Sequence, residues 1–147
     1  MKAGETAQDF TLVDQDGIKF NLYENLSSPI VLIFYPKDDS LICTKQLCQY
    51  NSNIQEFSKL GVKLIGISVD GQSSHKNFAN KYALKIRLLC DKNGLVSKMY
   101  EALSFRKNSK RKIYIIDKDR TIKYVDEKLS WFYLNYSELI KILKAVI

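Results

Sequence analysis

The chain reads as an α/β fold: a central mixed β-sheet covered by helices on both faces. Three observations predict it. The apolar runs PIVLIFYP and GVKLIGISVD are continuous, as expected of strands buried on both faces. A segment with helical spacing follows each run. Towards the end, KIYIID and TIKYV flank a Lys-Asp-Arg turn and read as a hairpin, which makes the sheet mixed rather than all-parallel.

The elements follow in order. FTLVDQDGIKF predicts two short strands around a Gln-Asp-Gly turn. PIVLIFYP is a buried strand closed by Pro36. Residues 43–60 switch to helical spacing, with Leu47, Tyr50, Ile54 and Phe57 forming one stripe. GVKLIGISVD is the second buried strand, SSHKNFANKYA at 73–83 a second helix, and a short helix covers 94–101. After the hairpin, Tyr136 to Val146 closes the chain as a helix with Leu139, Ile140, Leu143 and Val146 on one face. This order of strand, helix, strand, helix, two strands and helix is thioredoxin-like, although many α/β folds begin the same way. With no internal repeat, low-complexity tract or linker, residues 1–147 are expected to form one domain.

Apolar residues make up 46% and charged residues 27% of the chain, an ordinary globular balance. No apolar run reaches the ~18 residues of a membrane span. The start MKAGETAQDF lacks the apolar core of a signal peptide, and three cysteines are an odd number for a stapled secreted scaffold. A reducing cytoplasm is the expected location. The net charge of +7 is uneven: residues 1–73 carry 6 basic and 9 acidic side chains, residues 74–147 carry 17 and 7. The densest run, Arg106, Lys107, Lys110, Arg111 and Lys112, lacks the interleaved aromatics of a base-stacking platform and reads as a solvated loop, so neither nucleic acid nor a membrane is expected as a partner.

The chemistry concentrates in SLICTKQLC, residues 40–48. With Ser40 as N-cap, Cys43 is the third helical residue, where free backbone N–H groups and the helix dipole favour a thiolate. Asp38 and Asp39 oppose this, so a cation is needed nearby. Cys48 lies about 140° round the helix from Cys43, on the polar side away from the Leu47 stripe. An exposed thiol there invites a redox explanation, while a small buried hydrophobe is the alternative. Five helical residues rise about 7.5 Å, so an intact helix keeps the two α-carbons beyond the roughly 7 Å reach of a disulfide. Any bond between Cys43 and Cys48 requires the first turns of the helix to unwind. Other chemistries fit less well. The spacing is not the C-x-x-C of dithiol exchange. Zinc would need Cys43, Cys48, Cys90 and His75 from scattered elements. His75, at the start of a later helix, is more simply a surface or packing residue than a hydrolase partner.

The motifs resemble the peroxiredoxin family, in particular its peroxiredoxin Q (bacterioferritin comigratory protein) branch. FYPKDDSLIC matches that branch's F-Y-P strand end and P-x-x-x-[TS]-x-x-C, and Cys48 matches its second cysteine. GISVDGQSSHKNFANKYAL, LLCDKNG, RKIYIIDKDRTI and AQDFTLVDQDG resemble its later and N-terminal segments, so the likeness spans nearly all of residues 3–146. The resemblance implies a thiol-dependent peroxidase of thioredoxin-like fold, acting on hydrogen peroxide and organic hydroperoxides in antioxidant defence and redox homeostasis. It implies no metal or cofactor. Cys43 would be the peroxidatic cysteine and Cys48 the resolving one. Ser40 would position the peroxide, Pro36 would shield the sulfur, and Arg111 would stabilise the thiolate and polarise the peroxide. The Cys43–Cys48 disulfide would be recycled by thioredoxin or a similar dithiol protein, and the branch is often monomeric. Departures from the branch pattern are Ser40 for the commoner threonine, Leu41 and Gln8 for prolines, Cys90 for serine and Arg120 for a turn glycine.

Overall fold

The computed structural model describes residues 1–147. Seven strands form one mixed sheet: β1 (Thr11–Asp14), β2 (Lys19–Asn21), β3 (Ile30–Phe34), β4 (Lys63–Ser68), β5 (Arg87–Cys90), β6 (Arg111–Ile116) and β7 (Ile122–Lys128). Their order across the sheet is β2-β1-β5-β4-β3-β6-β7. β3, β4 and β5 run parallel, whereas β1 joins β5 and β6 joins β3 antiparallel. Five helices accompany them: α1 (Leu41–Ser52), α2 (Ile54–Lys59), α3 (Gln72–Lys81), α4 (Leu95–Met99) and α5 (Tyr136–Val146).

All five residues of β3 are buried, as its unbroken apolar run requires. Successive side chains point to opposite faces, so β3 supplies two cores. Val31 and Ile33 pack with Cys43, Leu47, Tyr50, Phe57, Phe78, Leu139 and Leu143 from α1, α2, α3 and α5. Ile30, Leu32 and Phe34 pack on the other face with Phe10, Phe20, Tyr100 and Tyr114. No helix is long and apolar enough to cross a membrane.

In its secondary structure the chain departs from the sequence reading at β5 and within the first long helix. β5 was not predicted as a strand. It is only four residues long, and its pairing with β4 and β1 is entirely non-local. The helix expected over 43–60 starts at Leu41 and breaks at Asn53, whose φ is −113° and whose Nδ2 donates to Gln49 O at 2.8 Å. Asn53 thus spends its side chain on a backbone carbonyl of the preceding turn, which weakens a helix interior.

The turn between β1 and β2 carries a testable electrostatic contact. Asp14 Oδ1 accepts from the amides of Asp16 (2.8 Å) and Ile18 (3.0 Å), and Asp14 Oδ2 accepts from Arg87 Nε at 2.7 Å. Burial pushes this carboxyl upward, but the Ile18 and Asp16 amides and Arg87 outweigh it and hold it below the ordinary value. The folded pKa is the depressed one, so its stabilisation is present above the unfolded carboxylate pKa and is lost as pH falls through the folded value. Asp14→Asn is therefore expected to flatten the acid limb of stability against pH below the ordinary carboxylate range. Denaturant melts across that limb check this, and an unchanged slope in the variant would refute it.

Candidate active site

α1 begins where β3 ends, after a loop of residues 35–40. Ser40 takes the extended N-cap conformation (φ −75°, ψ 156°), its carbonyl accepts from Thr44 N at 2.9 Å, and Cys43 is the third helical residue. The Ser40 hydroxyl does not cap the helix. Asp39 turns the chain with φ +57°, and Ser40 Oγ donates back to Lys37 O at 3.0 Å.

Cys43 is fully buried. The cation it needs comes from across the sheet. Antiparallel pairing of Phe34 with Lys112 sets Arg111 beside the exit of β3. There Arg111 Nη2 lies 3.3 Å from Cys43 Sγ. The guanidinium is held by three further bonds: Nη1 donates to Gln46 Oε1 at 2.7 Å, and Nη2 and Nε donate to Ser130 O at 2.7 and 3.2 Å. Gln46 is also fully buried, its Nε2 donating to Tyr50 OH at 3.3 Å, and the Tyr50 hydroxyl in turn donates to Leu134 O. Sequence reasoning missed Gln46 and Ser130. Gln46 had a usable signal, because it lies three residues after Cys43 on the same helix face. Ser130 had none, since it contributes only a backbone carbonyl. Pro36 lines the mouth beside this cluster, a cavity of about 430 Å³ shared with Arg111, Ser130, Trp131, Phe105 and Lys110.

Asp38 and Asp39 turn out to be occupied elsewhere. Tyr35 OH (2.6 Å), Ser74 Oγ (2.7 Å) and His75 Nδ1 (2.6 Å) all meet the Asp38 carboxylate. Asp39 accepts from Lys81 Nζ at 2.8 Å and Tyr82 OH at 2.6 Å. His75 is thus no surface residue but fully buried in a polar cluster. Cys43, Cys48, Cys90 and His75 do not converge as zinc would require; the one group of potential metal ligands is Asp38, Asp70 and His75. Asp38 and His75 there already bond one another, and Asp70 Oδ2 accepts from Ser68 Oγ at 2.9 Å and Asp38 N at 2.7 Å.

Cys48 is half-buried rather than exposed, packed at the edge of the core that holds Cys43. Asp39, Lys81 and Tyr82 line the depression beside it, which a helical wheel drawn on α1 alone cannot show. Burial, and then the charge of Asp39, push the Cys48 thiol up. Both thiols are free and lie in one unbroken helix. Cys90, buried at the end of β5, is pushed up to about 11 by burial and by the neighbouring carboxylates, which disfavours its thiolate. Within the basic run, Arg111 points into the site as the resemblance implies, and the solvated reading needs correction at Lys112. Arg111 and Lys112 are both buried, because strand β6 is covered on both faces. Lys112 Nζ donates to Glu101 O at 3.2 Å, lies 3.4 Å from Glu127 Oε1 and sits over the Tyr114 ring.

A buried thiol faced by a guanidinium, on a thioredoxin-like sheet, is the equipment of a thiol peroxidase. The comparisons with known proteins give the family: a profile of the AhpC/TSA family matches residues 3–125, and the chain belongs to that family. It is a peroxiredoxin of the peroxiredoxin Q type. It is 36% identical over 145 residues to "Peroxiredoxin Q, chloroplastic" of Oryza sativa subsp. japonica, covering 97% of this chain and 67% of that protein. It is 37% identical over 144 residues to the Arabidopsis thaliana protein of the same name, covering 97% of this chain and 67% of the relative. Among solved structures, Peroxidoxin BcpB from Mycobacterium tuberculosis superposes with a TM-score of 0.91 at 31% identity, covering 100% of this chain and 99% of that one.

Proposed function

We propose that this chain is a two-cysteine peroxidase in which Cys43 attacks the peroxide and Cys48 resolves the product. The observation that carries the reading is the 3.3 Å approach of Arg111 Nη2 to the buried Cys43 Sγ. A charge-assisted donor there favours the thiolate and faces the oxygen on which charge develops. The thiolate attacks one peroxide oxygen, the O–O bond breaks, and the other oxygen leaves as water or alcohol after taking a proton. Cys43 is then a sulfenic acid. Cys48 attacks that sulfur, an S–S bond forms, the S–O bond breaks and water leaves. Thioredoxin or a similar dithiol protein returns two electrons and two protons.

Ser40 exchanges its bond to Lys37 O for one to the bound peroxide, and Pro36 shields the sulfur from bulk water. Hydrogen peroxide and organic hydroperoxides are the proposed substrates, and antioxidant defence and redox homeostasis the role. A single-domain monomer in the cytoplasm suits a protein whose working thiols must be returned to the reduced state. The test is to treat the reduced protein with one equivalent of hydrogen peroxide and map its disulfides by mass spectrometry. A Cys43–Cys48 bond is expected, together with loss of peroxide consumption in Cys43→Ser. Wild-type consumption by Cys43→Ser would sink the reading.

A further inference from the structure

We propose that Asp38 and His75 are positioning residues that staple the active-site loop onto α3, setting the balance between the folded, peroxide-reactive α1 and its unwound, disulfide-competent form. The proposal rests on the two-cysteine reading above for its chemical readout.

The staple is a buried Asp38–His75 hydrogen bond. His75 Nε2 lies 2.8 Å from Leu89 O, a carbonyl that can only accept, so that nitrogen carries a hydrogen. Its Nδ1 meets Asp38 Oδ2, which already accepts from Ser74 Oγ, while Asp38 Oδ1 accepts from Tyr35 OH. Burial, and then the charge of Asp38, keep the Tyr35 hydroxyl protonated, so it is a donor. The Asp38 side chain is thus engaged by two hydroxyls and the His75 ring, and both ring nitrogens of His75 are engaged. One more bond, from Asp38 N to Asp70 Oδ2 at 2.7 Å, fixes the loop backbone. The next residue, Asp39, adds an outer clasp to Lys81 and Tyr82 at the far end of α3. Two consecutive carboxylates thus grip one helix at both ends, four and five residues ahead of Cys43.

Beyond the staple the helix carries a weak point. The bond from Thr44 N to Ser40 O opens α1, and Thr44 Oγ1 is buried without a hydrogen-bond partner. Unwinding hydrates that hydroxyl, so the folded turn bears a cost that the unwound turn does not. Releasing the staple frees residues 36–40 mainly in the unwound form, because folded α1 still holds them through Cys43, Leu47 and Tyr50. The staple and Thr44 therefore act with opposite signs.

The experiment uses the full chain as His75→Gln, Asp39→Asn, Tyr82→Phe and Thr44→Val. Two quantities are read: the Cys43–Cys48 equilibrium against a dithiothreitol buffer, and the peroxide concentration that half over-oxidises Cys43. His75→Gln is expected to raise the disulfide equilibrium constant about tenfold, a potential about 30 mV more negative, and to raise the over-oxidation midpoint. Asp39→Asn and Tyr82→Phe, at more exposed positions, shift both quantities the same way by less and keep the test available if His75→Gln folds poorly. Thr44→Val shifts both the opposite way. Unchanged values in the folded variants, or staple and Thr44 variants moving together, would overturn the proposal. A wild type that formed no Cys43–Cys48 disulfide would instead defeat the functional reading. The staple is then read from amide exchange over residues 41–48, faster in the staple variants and slower in Thr44→Val, and unchanged exchange would overturn it.

Discussion

Arg111→Leu is expected to slow the reaction of reduced protein with hydrogen peroxide by about 10²–10³-fold, the usual loss when one aligned donor to a developing negative charge is removed. The effect is large because Arg111 is buried, where a charge-assisted hydrogen bond is poorly screened. Leucine also strands Gln46 Oε1 and Ser130 O, which lose the donors they have now. Gln46 is fully buried, and a stranded buried acceptor costs roughly 1–3 kcal/mol, so the melting temperature should fall as well. Arg111→Lys separates the two effects. It keeps the charge, but a point ammonium cannot span Cys43, Gln46 and Ser130 together, so an intermediate rate is expected. Stopped-flow single turnovers can be followed through Trp131, the one tryptophan, next to Ser130. A rate for Arg111→Leu within threefold of wild type would remove Arg111 from the chemistry.

Cys48→Ser is expected to leave the first peroxide turnover intact while abolishing turnover driven by a thioredoxin-type reductant. Without Cys48 the sulfenic acid at Cys43 persists and is driven to sulfinic acid by excess peroxide. Mass spectrometry of Cys43 at rising peroxide measures this directly. Sustained turnover with a dithiol reductant in Cys48→Ser would mean that an external thiol resolves Cys43. The pH dependence adds a second check. Burial and Asp39 push the Cys48 thiol up while α1 is folded. If unwinding precedes attack, resolution should follow the ordinary thiol range near pH 8.5, because the unwound thiol is free of both influences. A midpoint shifted well above that range would mean that Cys48 reacts from the folded helix.

The two long buried strands, the closing helix and the hairpin were legible because their patterns are local: apolar runs, period 3.6, and a turn between alternating segments. β5 was not, because four residues gain their strand identity only by lying between β4 and β1. Cys43 was legible from its place at the third position of a helix. Cys48 was misjudged as exposed, because what covers it belongs to α3 and to Asp39. Asp38 read only as a charge opposing the thiolate and His75 as a surface or packing residue, and their pairing joins residues 37 positions apart.

The sequence by itself determined the fold class, the two thiols in one helix and, through resemblance to a family, the choice of Arg111. Spacing alone set the constraint that Cys43 and Cys48 cannot bond in an intact helix, since rise and rotation per residue are fixed. Only the tertiary structure decided how these groups are held: Arg111 of β6 reaches the sulfur, Ser130 from the loop after β7 and Gln46 of α1 hold its guanidinium, and the Asp38–His75 pair ties down the loop before α1. The physical reason is that strand pairing and burial, not neighbourhood along the chain, fix where a guanidinium, a carbonyl or an imidazole must sit to satisfy its hydrogen bonds away from water.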